Sequence, residues 1–142
     1  QHPIHLQGEG KRQARCRLYK GGKYDMLHGQ DETILPCLAM GGARGGIGGT
    51  TNYNGRELVG IIDAWEKGDL ELAREHQNFS QEVINVICRY RGNIVGGKRI
   101  MKLIGLDLGK NRTPFQNMTE EEEIQMKAEL EAINFFDRCN KL

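Results

Sequence analysis

The sequence predicts an α/β fold in which a short βαβα unit is followed by three further helices. Two short segments, at residues 23–28 and 45–51, have the length and the glycine boundaries of strands. An apolar segment at 32–40 lies between them, and helical periodicity with capping signals marks much of the chain from residue 56 onward. Because two parallel strands do not form a stable sheet alone, the unit is expected to be the end of a larger α/β protein.

Length and composition favour one folded unit and exclude several function classes. The chain has 142 residues, of which 38% are hydrophobic, so it can bury a core. It carries 20 Lys and Arg against 19 Asp and Glu without a basic stripe, so no nucleic-acid partner is expected. It has neither an apolar run of about 18 residues nor an apolar signal-peptide region, so we expect no membrane partner and a cytoplasmic location.

The cysteines do not predict a metal site. They are widely scattered and show no zinc-ligand spacing, so they are expected to be buried reduced thiols. We expect neither a metal nor a cofactor. The four positions are Cys16, Cys37, Cys88 and Cys139.

The first part of the chain predicts an irregular segment, a strand and a helix. Residues 1–22 are polar and basic and have no defensible period, so they are predicted to be irregular. The strand predicted over 23–28 ends at Gly29. The helix predicted over 32–40 ends at Gly41 and Gly42, because glycine readily adopts the left-handed conformation that follows a last helical turn.

The second strand is predicted over 45–51, with a loop at 52–55. Gly48 and Gly49 fall inside or at the end of this strand, where glycine weakens a sheet and commonly marks the close approach of a ligand or another backbone. The phosphate-binding spacings G-x-x-x-x-G-K-[ST] and G-x-G-x-x-G are both absent from this region. The glycines therefore give a nucleotide-binding module little support.

The remaining helices are predicted from apolar periodicity and capping residues. Asp69 is expected to cap the second of them, and Thr119 with Glu122 has the spacing of a capping box. Residues 105–114 are predicted to be a loop. Behind the capping box, one apolar stripe is formed by Met126, Leu130, Ile133 and Phe136. The expected helices lie at about 56–67, 69–90, 97–104 and 119–136.

Two adjacent carboxylates, Asp31 and Glu32, follow the end of the first predicted strand. Capping of the next helix by Asp31 is one explanation. The other is that carboxylates at the carboxyl end of a strand, beside a strand end made of glycine, accept hydrogen bonds from a polyhydroxylated ligand. The two explanations are compatible, and both stay open.

The segment LHGQDETILPCLAMGGARGGIGGTTN, residues 27–52, resembles the seventh and eighth β/α units of the Schiff-base aldolase family that includes N-acetylneuraminate lyase and dihydrodipicolinate synthase. The resemblance covers about residues 23–136 and is greatest towards the neuraminate lyase branch. It implies the C-terminal part of a (β/α)₈ TIM barrel. Residues 23–67 would form the last two β/α units and residues 68–142 a C-terminal helical extension, after the poorly matched segment 1–22.

The resemblance also implies an activity and partners. Family members are class I aldolases, in which a lysine forms an imine with pyruvate and the protonated imine accepts the electrons of a breaking carbon–carbon bond. The branch cleaves N-acetylneuraminate, a sialic acid, to N-acetylmannosamine and pyruvate. The alternatives within the family are a dihydrodipicolinate synthase and a 2-keto-3-deoxy sugar acid aldolase. A homo-oligomer, in the family a homotetramer, is expected.

Six positions match substrate contacts of the family. Those that contact the polyol tail of the sugar match Gly29, Asp31 and Glu32. An apolar wall beside pyruvate and a backbone position close to the substrate match Ile47 and Gly48. The sixth is Gly49, and because many neuraminate lyases carry serine there, one polar contact is absent.

The imine-forming lysine and the proton-relay tyrosine of the family have no counterpart here. Lys11 is the only lysine near the expected place, but its flanks look solvated, whereas such a nucleophile needs a desolvated setting. Lys98, at the head of a later helix, is expected to have a surface or interface role. His28 and His76 have no recognisable partner and are expected to be ordinary polar residues. We therefore expect a fragment without catalytic activity of its own.

Two other function classes remain open. Residues 56–142 would also suit a non-enzymatic helical scaffold or interaction module. A nucleotide-binding module that uses the glycines is the third alternative and has the least support.

Overall fold

The computed structural model describes residues 26–41 and 43–141, which form two short strands and a set of packed helices. A 3₁₀ turn at Asp31–Thr33 precedes the first α-helix, and a π-helical turn at Asn93–Gly97 precedes the fourth. The predicted irregular segment 1–22 and the start of the predicted strand 23–28 lie outside the described residues. In chain order the elements are β1 (Leu27–His28), α1 (Ile34–Ala39), β2 (Gly45–Gly46), α2 (Thr51–Glu66), α3 (Leu70–Arg89), α4 (Lys98–Leu103), α5 (Glu120–Ala132) and α6 (Phe135–Arg138).

The two strands pair in parallel, so the predicted order of strand, helix and strand is confirmed. Leu27 lies opposite Gly45 and His28 opposite Gly46. The N–H of Ile47 donates to the carbonyl of His28 at 2.8 Å and continues the pairing for one residue. The prediction of a second strand over 45–51 was too long, because the pairing ends at Ile47 and a turn at residues 48–50 leads into α2.

The helix between the strands also forms where it was predicted. The 3₁₀ turn and α1 together cover Asp31–Ala39, against a prediction of 32–40. Gly41 has φ +65°, which is the left-handed conformation expected after the last turn. Asp31 does not cap this helix, however, because its side chain is directed to Thr50.

Helix α2 begins at Thr51, five residues before the predicted start, so the predicted loop at 52–55 is wrong. The N–H of Thr50 donates to Oδ2 of Asp31 at 2.9 Å, and a carboxylate at this position stabilises the positive end of the helix dipole. Asn54 departs from helical geometry, with φ −116° and ψ 17°, and marks a kink. The weak local propensity of this segment is thus overcome by a tertiary contact.

The capping residues of α3 and α5 act as predicted. The side chain of Asp69 accepts a hydrogen bond from the N–H of Leu72 at 3.0 Å. Oγ1 of Thr119 accepts from the N–H of Glu122 at 3.2 Å, and the Glu122 carboxylate accepts from the N–H of Thr119 at 2.9 Å. These three hydrogen bonds satisfy backbone donors that have no partner within their own helix.

The last predicted helix is divided in two. Met126 and Leu130 are fully buried, as the apolar stripe predicts. The backbone then leaves the helical conformation at Asn134, which has φ +57°, and α6 begins at Phe135. Phe136 of the predicted stripe therefore lies on a separate short helix.

The helices bury two hydrophobic clusters. The smaller joins α1 to α2 and the start of α3, with Ile34 and Ile61 at its centre. The larger extends from Tyr53 in α2 through α3, α4 and α5 to Cys139. Because α2 contributes to both clusters, it connects the strand end of the molecule to the C-terminal helices.

Two further observations concern the cysteines and the membrane. Cys37 and Cys139 are buried as predicted, whereas Cys88 is exposed, which corrects that prediction. Cys88 lies on α3 in a position that the larger cluster does not cover. Among the described residues no helix combines the length and the hydropathy of a membrane span.

Candidate functional site

The loops after β1 and β2 meet at the carboxyl ends of the two strands. Asp31 follows β1 and is only 3% exposed. Its Oδ2 accepts hydrogen bonds from both the backbone N–H and the hydroxyl of Thr50, which follows β2. This carboxylate therefore joins the two strand ends and fixes the start of α2.

Gly48 packs directly against the same carboxylate. A Cβ on Gly48 would lie 1.9 Å from Oδ1 of Asp31, 2.2 Å from Cγ and 2.3 Å from Oδ2. Only glycine leaves room for the carboxylate at this distance. Gly48 was predicted to mark the close approach of another group to the backbone. The side chain of Asp31 is such a group, in addition to any ligand.

One oxygen of Asp31 has no partner within the described part of the chain. Oδ1 is buried and accepts no hydrogen bond there, whereas Oδ2 accepts two. A buried oxygen without a donor is rare and costs free energy, commonly about 1–3 kcal/mol. It is therefore an acceptor that a ligand hydroxyl or another part of a larger protein could satisfy.

The other predicted substrate contacts lie close to this pair in the chain. Gly29 is exposed and Glu32 is half-buried, and both lie on the same loop as Asp31. The backbone carbonyl of Glu32 accepts from the amide of Gln81 at 2.9 Å, which ties this loop to α3. Ile47 is 68% exposed, although an apolar wall of a pocket would normally be covered.

Gly49 meets the C-terminal helices rather than the strand loop. A Cβ on Gly49 would lie 2.1 Å from Nδ2 of Asn93, which belongs to the π-helical turn before α4. The hydroxyl of Tyr53 donates to Oδ1 of Asn93 at 2.7 Å. Burial raises the pKa of the Tyr53 phenol well above its ordinary value, and the nearby Asp31 charge adds to this, so the phenol stays protonated. Gly49 therefore faces a second polar contact that local sequence signals did not predict.

The two histidines have partners, so the expectation that they lack them was wrong. Nε2 of His28 lies 2.8 Å from Oγ1 of Thr33. Nδ1 of His76 lies 2.8 Å from Oε2 of Glu57. The Arg138 guanidinium donates to Oε1 of Glu57 at 2.9 Å and to Oε2 at 2.6 Å. Burial favours the neutral form of Glu57, but the hydrogen bonds from Arg138 and His76 outweigh it and lower its pKa. This ion cluster joins α2, α3 and α6.

Lys98 stands at the head of α4 and is half-buried. Its Nζ donates to the backbone carbonyl of Lys110 at 2.9 Å. The expectation of a surface or interface role stays a prediction. Within the described ranges, no group of three or more His, Cys, Asp or Glu side chains is arranged to hold a metal ion.

The structure thus brings Asp31 and Gly48 into contact and places Gly49 beside Asn93. Gly29 and Glu32 lie within two residues of Asp31 in the chain, and their substrate roles, like that of Ile47, stay predictions. Sequence reasoning missed the link from Asp31 to Thr50. The one local signal for it was a threonine directly after a glycine pair, a residue type that often precedes a helix.

Comparison with known proteins shows a consistent set of relatives. The model of the Dihydrodipicolinate synthetase family matches residues 7–133. The N-acetylneuraminate lyase of Rattus norvegicus is 33% identical over 114 residues, which are 80% of this chain and 35% of the relative. The chain therefore spans about a third of the length of this curated relative.

Solved structures give the same result. Proteus mirabilis N-acetylneuraminate lyase superposes with a TM-score of 0.80 at 32% identity, over 89% of this chain and 42% of the other. Dihydrodipicolinate synthase from Aquifex aeolicus superposes with a TM-score of 0.73 at 26% identity, over the same shares of 89% and 42%. The described fold is therefore shared with part of each of these enzymes.

Proposed function

The chain belongs to the dihydrodipicolinate synthetase family, and from this premise we propose that it is the C-terminal part of a Schiff-base lyase. The proposed parent is a (β/α)₈ barrel most similar to N-acetylneuraminate lyase, which would cleave N-acetylneuraminate to N-acetylmannosamine and pyruvate. In this proposal residues 23–67 form the last two β/α units and residues 68–142 the helical extension. The imine-forming lysine and the proton-relay tyrosine would belong to polypeptide outside this chain.

The contact between Asp31 and Gly48 is the observation that carries this proposal. Parallel strands bring their carboxyl ends to one edge, and α/β barrels build their sites at that edge. The buried carboxylate lies between the ends of β1 and β2, and its Oδ1 lacks a donor within the described residues. A substrate hydroxyl that reached Oδ1 would satisfy this acceptor.

The roles proposed for the remaining positions follow from their chemistry. The Glu32 carboxylate would accept hydrogen bonds from the polyol tail, and Gly29 would let the tail approach the backbone. Ile47, which is 68% exposed, would become covered once the rest of a barrel and pyruvate pack against it. Gly48 and Gly49 would leave room for substrate next to the start of α2.

Self-association is proposed on the basis of exposed apolar surface. A cavity of 530 Å³ beside β2 is lined in part by Leu58, Val59 and Ile62. Leu27 and Ile47 are also more than half exposed on the two-stranded sheet. Uncovered apolar surface beside unpaired strand edges favours association. We expect light scattering after size exclusion to give a mass above 16.0 kDa.

Fragment complementation tests the proposed function. The chain would be refolded alone and together with the N-terminal portion of Proteus mirabilis N-acetylneuraminate lyase that precedes the matched region, and pyruvate release from N-acetylneuraminate would be measured. Neither piece is expected to release pyruvate alone, and the mixture is expected to do so. A Glu32→Gln variant should lower the activity of the mixture, whereas Glu66→Gln, an exposed residue at the end of α2, should not. Pyruvate release by this chain alone would contradict the proposal.

A helical interaction module is the second candidate, and the larger hydrophobic cluster favours it. That cluster is built from α2–α6 without a contribution from either strand. Deleting residues 1–50 separates the two candidates by circular dichroism and size exclusion. A module would stay folded and associated, whereas a barrel fragment would lose the Asp31 carboxylate that stabilises the start of α2 and would unfold at a lower temperature.

A further inference from the structure

A cavity of 340 Å³ lies between the loop after β2 and the C-terminal helices. Its polar end contains the side chains of Asn93 and Lys98, and its apolar end is formed by Met101, Leu106 and Leu108. Among the residues that the structure describes, no Asp or Glu lines it, so none of their acidic side chains opposes the Lys98 charge inside the cavity. The cavity is thus polar at one end, apolar at the other and positively charged.

Two glycines leave the space that the Asn93 side chain occupies. A Cβ on Gly49 would lie 2.1 Å from its Nδ2, and a Cβ on Gly97 would lie 2.3 Å from its Oδ1. The backbone before it is also unusual, because Arg91 has φ +63° and Gly92 has φ +70°. Left-handed backbone at a non-glycine residue, followed by a π-helical turn, is frequent at functional sites.

The polar end of the cavity offers hydrogen-bond donors. The Tyr53 hydroxyl donates to Oδ1 of Asn93 at 2.7 Å, so this hydrogen bond does not use Nδ2. No described residue accepts a hydrogen bond from Nδ2 of Asn93. Lys98 uses one of its three donors on the carbonyl of Lys110. The two remaining N–H donors of the Lys98 ammonium group and the amide of Asn93 therefore favour an anionic ligand. The apolar end of the cavity favours a short hydrocarbon tail on that ligand.

We propose that this cavity binds a small organic carboxylate with a short apolar tail, its carboxylate on Lys98 and Asn93 and its tail on Met101, Leu106 and Leu108. This cavity shares Gly49 with the positions proposed for the lyase substrate, but its other lining residues are different, and it requires neither an imine-forming lysine nor the rest of a barrel. Its ligand would reach Gly49 from the side of the C-terminal helices.

Butyrate binding to the full chain tests this proposal, with saturation-transfer NMR and calorimetry as the measurements. Butyramide has the same shape without the charge, and inorganic phosphate has the charge without the tail. Butyrate is expected to bind at millimolar concentration, and both comparison compounds are expected to bind at least about tenfold more weakly. Equal or tighter binding of butyramide or phosphate would overturn the assignment of ligand class.

Isosteric variants locate the site. Asn93→Asp keeps an acceptor for the Tyr53 hydroxyl but replaces the amide donor with a negative charge, and Lys98→Met removes the cation. Each is expected to weaken butyrate binding by about tenfold or more. Lys102→Met removes the same charge from the same helix outside the cavity and should leave binding unchanged. If butyrate fails to bind the wild-type chain, or binds the Asn93→Asp and Lys98→Met variants unchanged, the proposal is wrong.

Discussion

Replacing Gly48 with alanine tests the contact that joins the two strand ends. The new Cβ would lie within 2.3 Å of all three carboxylate atoms of Asp31, so the carboxylate must move. Because Asp31 is 3% exposed and bonded to Thr50, moving it loses at least one charge-assisted hydrogen bond. Such a bond contributes about 1.5–3 kcal/mol, and overpacking adds roughly 1–3 kcal/mol.

We therefore expect Gly48→Ala to lower the free energy of unfolding by about 3–5 kcal/mol, which corresponds to a fall in Tm of roughly 10 °C or more in a domain of this size. Denaturant titration and thermal unfolding followed by circular dichroism measure both quantities. Gly45→Ala is the matched control, because among the described residues its Cβ would meet Leu27 Cδ2 alone, at 3.5 Å, an ordinary contact. The control is expected to lose less than about 1 kcal/mol.

A double-mutant cycle identifies the cause. Asp31→Ala removes the carboxylate, so the alanine methyl at position 48 has space to occupy. The combined loss for Gly48→Ala and Asp31→Ala is expected to be smaller than the sum of the single losses by about 2 kcal/mol. Stability of Gly48→Ala equal to that of Gly45→Ala, or additive losses in the cycle, would refute this explanation of the glycine.

Further predictions concern the ion cluster and the cap of α5. Pairing with Arg138 and His76 lowers the pKa of Glu57 below its ordinary 4.5, so ionised Glu57 stabilises the fold at pH values above 4.5. This stabilisation is lost as the pH falls through the lowered pKa of Glu57. The Tm of the wild type should therefore decrease when the pH is lowered below about 4.5. Arg138→Met should have a lower Tm at pH 7, and its Tm should decrease less on acidification. Thr119→Ala should cost about 1 kcal/mol in chemical denaturation, whereas Thr119→Ser and Thr113→Ala should cost little. A steeper acid decline in Arg138→Met, or an unchanged Thr119→Ala, would count against these assignments.

The parts of the fold that were predicted correctly depend on residues close together in the chain. The capping box at Thr119 spans three residues, the Asp69 cap also spans three, and Gly41 adopts its left-handed conformation in a single residue. Such signals act within one helical turn, so the sequence alone carries them. These local signals predicted which segments are helical and where most of the helices begin or end.

The parts that were not predicted depend on distant residues. Asp31 bonds to Thr50, 19 residues later, and this contact starts α2 five residues before the local pattern suggests. Asn93 occupies the space above Gly49, and Arg138 pairs with Glu57 across 81 residues. A single sequence does not reveal which distant side chains meet, because tertiary packing decides it. The resemblance to a family nevertheless placed Asp31 and Gly48 at one end of adjacent strands, where they are in contact.

Borohydride trapping with pyruvate tests the central claim most directly. The chain would be incubated with pyruvate, reduced, digested and analysed by mass spectrometry, with an intact N-acetylneuraminate lyase as the positive control. We expect the control to carry a pyruvyl adduct on one lysine and this chain to carry none, because the electrophile-forming amine would come from other polypeptide. A stoichiometric adduct on a lysine of this chain would contradict that claim, and its position would identify the nucleophile.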